Sequence, residues 1–319
     1  MNSKPIVIIS GEPFGIFNEI FLKIIKKNSF KKPIILIGSK KLFFQQTKKS
    51  RHKVEVNFIN LVGLSLKKIN NKKINFIDVN LKFEKMKSSS NEVKKYIQKC
   101  FDIGLNLLKK HNCTGLINGP INKKTFLNYR YPGITEYLAS KFKSKIFAML
   151  IYTKKLAVCP ITTHMPLKNV HKSISKNMII KKILLINSFY FKMLKKKPKI
   201  AITGLNPHCE SPAKLNEEKK IIIPAINFLK KNKISIKGPF SADTIFLKDE
   251  IKKFDVIVGM YHDQVLTPIK ALYNFEAINI TLGLPFMRIS PDHGPNQRMF
   301  GKNLSNPQSL LQAIKFLDN

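Results

Sequence analysis

Three of the seven histidines in this 319-residue chain stand in the same kind of place. Each closes a segment that begins as an apolar run: Leu156-Ala-Val-Cys-Pro-Ile-Thr-Thr-His164, Lys199-Ile-Ala-Ile-Thr-Gly-Leu-Asn-Pro-His208 and Asp255-Val-Ile-Val-Gly-Met-Tyr-His262. Neutral imidazole is the commonest nitrogen ligand in proteins, and three imidazoles leave coordination positions open for substrate oxygens. Taken singly, each reads as a loop histidine. Together, after three different strands and beside Thr162-Thr163, Asn206-Pro207 and Asp263-Gln264, they predict a divalent metal site. Imidazole suits zinc, cobalt, nickel and iron alike, so the ligand type leaves the metal open. Cys209, next to His208, reads either as a further ligand or as a small packing residue.

The segment that follows His262 carries Lys270, Asn279 and Arg288. They offer a flexible cation, an amide and a planar guanidinium suited to phosphate or carboxylate oxygens. Arg288 follows Gly283-Leu-Pro-Phe286, a turn that either delivers it to a substrate or leaves it as a surface salt-bridge partner. Near the N-terminus, Ser10-Gly11-Glu12-Pro13-Phe14-Gly15 joins a strand to a helix. It matches neither the dinucleotide glycine fingerprint nor the P-loop, so it gives no independent sign of a nucleotide.

The elements that must hold these residues alternate along the chain. Pro5–Ile9, Pro33–Ile37, Gly115–Ile117, Leu156–Pro160, Lys199–Thr203 and Asp255–Val258 read as strands, and their continuous apolar character predicts a parallel sheet covered on both faces. Helices are expected at Phe17–Lys27, Asn91–Lys110, Tyr137–Phe142, Asn177–Lys195, Glu217–Lys231 and Pro307–Leu317, with Ser89 and Glu92 forming a capping box. The lysine- and asparagine-rich stretch Ser65–Ser90 reads as surface loops around a short strand at Ile74–Val79. The class is α/β, and ligands of parallel sheets bind beyond the carboxyl ends of the strands.

A formal charge of +38 invites a nucleic-acid reading. Yet arginine occurs at positions 51, 130, 288 and 298 alone, while lysine is scattered through nearly every segment. No aromatic and basic residues interleave as in a nucleic-acid module, so no nucleic-acid partner is expected. Four cysteines without C-x-x-C spacing agree with a reducing compartment. No apolar run reaches membrane-spanning length, so no membrane partner and a cytoplasmic location are expected.

At these residues the chain resembles the 4-hydroxythreonine-4-phosphate dehydrogenases of pyridoxal phosphate biosynthesis, the PdxA family. The resemblance runs nearly end to end through Gly11-Glu-Pro-Phe-Gly15, Asn118-Gly-Pro-Ile-Asn-Lys123, Pro132-Gly-Ile-Thr-Glu136, Thr162-Thr-His-Met-Pro-Leu167, Gly204-Leu-Asn-Pro-His208, Gly238-Pro-Phe-Ser-Ala-Asp243, Met260-Tyr-His-Asp-Gln264 and Asn279-Ile-Thr-Leu-Gly-Leu-Pro285. It implies an isocitrate/isopropylmalate-dehydrogenase-like fold of two α/β lobes flanking a cleft that holds the active site. It also implies NAD or NADP, and one divalent metal (zinc, cobalt or magnesium) on His164, His208 and His262. Two of these would come from one subunit of a homodimer and the third from its partner. Thr135, Lys270, Asn279 and Arg288 match substrate-binding positions, and Asp243 and Asp263 are candidates for proton handling or for orienting a ligating imidazole. The implied reaction oxidises the secondary alcohol of 4-phosphohydroxy-L-threonine by hydride transfer to nicotinamide, with the metal polarising that oxygen. The resulting β-keto acid loses carbon dioxide to give 3-amino-2-oxopropyl phosphate.

The chain departs from the family pattern at Ile134, where a histidine is usual before the substrate threonine, and at Phe14, Phe17 and Asn18 of the first loop. Isoleucine cannot hydrogen-bond phosphate, so a paralogous dehydrogenase of a phospho-threonate or phospho-erythronate is the alternative. The expected lobes are 1–127 with 290–319, and 128–289 carrying the histidines and the dimer contacts.

Overall fold

The computed structural model describes residues 4–50, 54–61, 69–84, 87–210 and 216–319. The chain divides into two compact units, Met1–Tyr131 with Phe286–Asn319, and Pro132–Pro285.

The N-terminal portion supplies β1 (Ile6–Ile9), α1 (Phe17–Lys27), β2 (Ile34–Gly38), α2 (Lys40–Ser50), β3 (Val56–Phe58), β4 (Ile74–Asp78), α3 (Ser90–Lys110), β5 (Gly115–Asn118) and α4 (Lys123–Leu127). The middle supplies α5 (Ile134–Lys141), β6 (Ala148–Tyr152), β7 (Ala157–Pro160), α6 (Val170–Ser173), α7 (Lys176–Leu194), β8 (Ile200–Thr203), α8 (Ile223–Lys231), β9 (Ile236–Phe240), α9 (Lys248–Ile251), β10 (Val256–Gly259), α10 (His262–Tyr273) and β11 (Ile278–Leu282). The chain then returns to the first unit with β12 (Arg288–Pro291) and α11 (Gln308–Asp318).

In the first unit the strands lie in the order β3-β4-β2-β1-β5-β12, all parallel. Every residue of β1, β2 and β5 is buried, as continuous apolar runs require. α1 buries Phe17, Ile20, Phe21 and Ile24, the spacing of one helical face, and packs beside α2 and α11. Ser89 caps α3 by accepting from the Glu92 N–H at 3.2 Å, which is one half of the expected box. The Tyr96 hydroxyl on α3 accepts from the Ser39 N–H at 3.0 Å and pairs with Ser10 Oγ at 2.9 Å, tying the ends of β2 and β1.

The short strand expected at Ile74–Val79 is present as β4, but it lies inside the sheet between β2 and β3, with Phe76 and Ile77 buried, where surface structure was expected. Its Asn75 is fully buried because it bonds Ile34 O, Asn70 and Asn57. Residues 62–68 and 85–86 of that stretch lie outside the described residues. The crossings read at Leu127 and Ile289 also differ from the unit boundaries. Arg288 and Ile289 pair with Leu116 and Ile117 of β5, which makes β12 a strand of the first unit.

The second unit has the order β11-β6-β7-β10-β8-β9. β7, β10, β8 and β9 are parallel, while β6 is antiparallel to both its neighbours. Its core gathers Ile151, Val158, Ala201, Ile257, Val265 and Ile269.

Gly119 shows how closely the loops after β1 and β5 meet. A Cβ there would sit 2.4 Å from Ser10 O and 2.6 Å from the Phe17 ring. Gly119→Ala should therefore lower the unfolding free energy by about 1–3 kcal/mol, the range for overpacking. A urea denaturation midpoint equal to wild type would contradict this packing.

Candidate active site

The three histidines follow β7, β8 and β10, which are neighbours and parallel, so their carboxyl ends form one edge. Hydrogen bonds extend that edge past the strands. Ile161 N donates to Gly259 O at 2.7 Å, and Thr162 Oγ1 donates to Met260 O at 2.7 Å. Gln264, in the first turn of α10, joins the other side. Its Oε1 accepts from Met260 N at 2.6 Å and Thr203 Oγ1 at 3.0 Å, and its Nε2 donates to Gly204 O at 2.8 Å. All these groups are buried, so each must find a partner, and the three strand ends hold one another in register.

On this edge the rings of His164 and His262 lie with centroids 5.5 Å apart. His262 is the first residue of α10, a helix the sequence reading missed because Pro268 interrupts its pattern. His208 stands apart from the pair: its side chain is 74 % exposed, and no group of three metal-ligating side chains is assembled among the described residues. Both His208 (φ 55°) and Cys209 (φ 61°) occupy the left-handed region, a conformation that costs energy in residues with a Cβ and gathers at functional sites. Glu218 holds this loop, its Oε1 accepting from Leu205 N at 2.8 Å and Asn206 N at 2.9 Å, and its Oε2 accepting from Asn206 Nδ2 at 2.9 Å.

Each histidine has a carboxylate beside Nδ1. Asp263 Oδ1 lies 2.6 Å from His262 Nδ1. Asp243 Oδ2 lies 3.9 Å from His208 Nδ1, with Ser241 Oγ donating to Asp243; that hydrogen bond chiefly holds Asp243 below the usual carboxylate range. Glu136 Oε1 lies 3.3 Å from His164 Nδ1 and accepts from Thr163 Oγ1 at 2.9 Å. The sequence reading named the two aspartates and missed Glu136 and Glu218. Glu136 stood in the quoted Pro132–Glu136 block, but its partner is far off in sequence.

The remaining candidates divide. Thr135 is buried and its hydroxyl lies 3.3 Å from that of Thr281 on β11. Asn279 shares Thr281's face of β11, and its Oδ1 is buried without a hydrogen-bond partner. Lys270 is exposed on α10, about 12 Å along the helix from His262 at 1.5 Å per residue. Arg288 belongs to the first unit and is buried, 2 % exposed, with Nε donating to Asn118 Oδ1 at 2.8 Å; the reading as a surface salt-bridge partner is thereby corrected. Ile134 is part of the buried apolar core.

Residues 29–317 match the family model described as pyridoxal phosphate biosynthetic protein PdxA. The chain belongs to the PdxA family. A 4-hydroxythreonine-4-phosphate dehydrogenase from a Sulfurihydrogenibium species is 39 % identical over 97 % of this chain and 96 % of that one. The D-threonate 4-phosphate dehydrogenase of Salmonella typhimurium is 30 % identical over 99 % and 98 %. The crystal structure of 4-hydroxythreonine-4-phosphate dehydrogenase from Klebsiella pneumoniae superposes with a TM-score of 0.82 at 28 % identity, covering 99 % and 98 % of the two chains. The isocitrate-dehydrogenase-like, two-lobed α/β class accords with these PdxA neighbours.

Burial pushes the Glu218 carboxyl up, but hydrogen bonds from Asn206 and Leu205 outweigh it and hold it below its usual 4.5. A depressed folded-state value stabilises the fold above the unfolded value and loses that contribution as pH falls through the folded one. Glu218→Ala should lower the unfolding free energy at neutral pH by about 1 kcal/mol, the scale for losing hydrogen bonds to the half-buried donors of Leu205 and Asn206. The wild-type advantage should then shrink below about pH 4.5. Urea unfolding of both proteins across the acid range checks this; an undiminished gap there would contradict it.

Proposed function

We propose that this PdxA-family protein is the NAD- or NADP-dependent, divalent-metal-dependent oxidoreductase that converts 4-phosphohydroxy-L-threonine to a β-keto acid, which decarboxylates to 3-amino-2-oxopropyl phosphate for pyridoxal phosphate biosynthesis. The observation that carries the reading is the pair of imidazoles, His164 and His262, 5.5 Å apart at the carboxyl edge of a parallel sheet, in a chain of this family.

The imidazole donors fit zinc or cobalt, whereas magnesium prefers oxygen ligands and would be held mainly through water and carboxylate. Two imidazoles with carboxylates at Nδ1 offer Nε2 as the ligating atom. A third ligand is needed, and the exposed His208 with Asp243 at its Nδ1 suits a partner's site better than its own. The proposed assembly is a homodimer with shared sites. Apolar side chains on α7 and α8 support it: Leu184 is 42 % exposed, Phe191 69 % and Phe228 43 %. A cytoplasmic location is supported by cysteines that are all free, and no helix of the described residues is long and apolar enough to cross a membrane. We assign neither nucleic acid nor membrane as a partner.

When bound, the metal supplies Lewis-acid polarisation of the substrate's secondary alcohol, and the nicotinamide accepts the hydride. The protein's own groups bind and orient. Asn279 Oδ1, buried and unpartnered, awaits a hydroxyl or ammonium donor, while Thr135 offers a hydroxyl beside Glu136. Arg288 and Lys270 neutralise phosphate or carboxylate oxygens. Asp263 and Asp243 orient His262 and His208 or receive a proton.

The second reading is a dehydrogenase of a phosphorylated sugar acid such as D-threonate 4-phosphate or a phospho-erythronate. It is favoured by one observation: Ile134 is packed in the core where the resemblance leads one to expect histidine, so phosphate must be held by other groups. Metal-free protein should form NADH or NADPH from 4-phosphohydroxythreonine when zinc, cobalt or magnesium is restored. Turnover of the sugar acids in its place would select the second reading, and no metal dependence would remove both.

A mixing experiment tests the shared site. His208→Ala and His262→Ala homodimers should each be inactive. Subunit exchange between them should restore about a quarter of wild-type activity, since half the dimers then hold one intact site. No recovery after verified exchange would place all three ligands in one subunit.

A further inference from the structure

Among the three carboxylates beside histidine Nδ1 atoms, Glu136 differs in being enclosed. Its side chain is 13 % exposed, against 81 % for Asp263 and 59 % for Asp243. It enters from the first turn of α5, and Gly133, one turn earlier, makes the room: a Cβ there would stand 2.6 Å from Glu136 Oε2 and 3.1 Å from His164 Cε1. At the start of the same loop the buried Lys182 on α7 donates to Ile161 O at 2.7 Å. The segment Ile161–His164 is thus held by a cation at its start and an anion at its end.

An ionised carboxylate can only accept hydrogen bonds. Its contact with His164 Nδ1 is therefore a bond in the Nδ1–H form and a repulsion between lone pairs in the Nε2–H form. His164 itself reaches solvent, with its side chain 27 % exposed, but the carboxylate it meets is only 13 % exposed, so this difference is screened less than at the exposed Asp263 and Asp243. Oε1 also takes the Thr163 hydroxyl at 2.9 Å, which anchors the carboxylate beside the ring.

We propose that Glu136 is a positioning residue that holds His164 as its Nδ1–H tautomer before any metal arrives, making His164 the preorganised ligand on which the site assembles. The inference rests on the metal reading above and deepens it, and its test separates the two. The first arm uses metal-free protein with 15N-labelled histidine at about pH 8, where imidazole is neutral, and reads the tautomer of His164 by NMR. Wild type and Glu136→Gln, which keeps an acceptor oxygen in place, should show Nδ1–H; Glu136→Leu should shift His164 to Nε2–H. An Nε2–H imidazole in wild type, or no shift in Glu136→Leu, overturns the proposal.

The second arm titrates Co2+ into the same proteins and follows its visible spectrum. Glu136→Leu should weaken binding about 10- to 100-fold, the usual effect of losing a carboxylate behind a ligating histidine. Glu136→Gln should fall between it and wild type, with an unchanged thermal midpoint showing that the fold is intact. Equal affinity in Glu136→Leu and wild type would also overturn the role. If wild-type protein takes up no Co2+, the metal reading fails by itself and the tautomer arm still decides the inference.

Discussion

The site depends on one buried side chain that joins two strand ends. Gln264 accepts from Met260 N and Thr203 Oγ1 and donates to Gly204 O, so the ends of β10 and β8 cannot shift without stranding polar groups away from water. Thr162 makes the equivalent tie from β7 to Met260 O. Parallel strands bring their carboxyl ends to one edge by topology alone; these two side chains turn that edge into a fixed frame. From it the His164 and His262 rings meet, and the strained turn at His208 is held off by Glu218.

The frame also explains how charge is distributed in a chain with a formal charge of +38. Acidic residues are scarce, and several of those present are structural or beside histidines. Glu19 accepts from Ser305 N and Asn303 N, Glu12 from Asn122 N, and Glu218 from the loop before His208. Glu136, Asp243 and Asp263 stand at the three imidazoles. The lysines, by contrast, are mostly surface groups, with Lys182 a buried exception.

Much of this was legible in the sequence. The apolar runs of β1, β2, β5, β7, β8 and β10 are buried on both faces and announce themselves without alternation, and the helices with a clean 3.6-residue period were found nearly residue for residue. The strands that were missed are short, such as β3; interrupted by glycine and proline, such as β9; or polar at alternate positions, such as β11 with Asn279 and Thr281. α10 escaped because its first turn is His-Asp-Gln and Pro268 breaks its middle. The histidines were recognisable because each follows its strand directly. Glu136 and Glu218 were not: their partners lie 28 and 12 residues away, a proximity that no local pattern encodes.

The central claim is that His164 and His262 hold a metal whose third protein ligand is His208 of the partner subunit. Crystals of the protein grown with zinc and measured at its absorption edge test this directly. The account predicts an anomalous peak about 2.0–2.1 Å from Nε2 of His164 and His262 and of His208 of the partner subunit. A peak bound through Nδ1, one served by His208 of the same chain, or no peak between the two rings would contradict it.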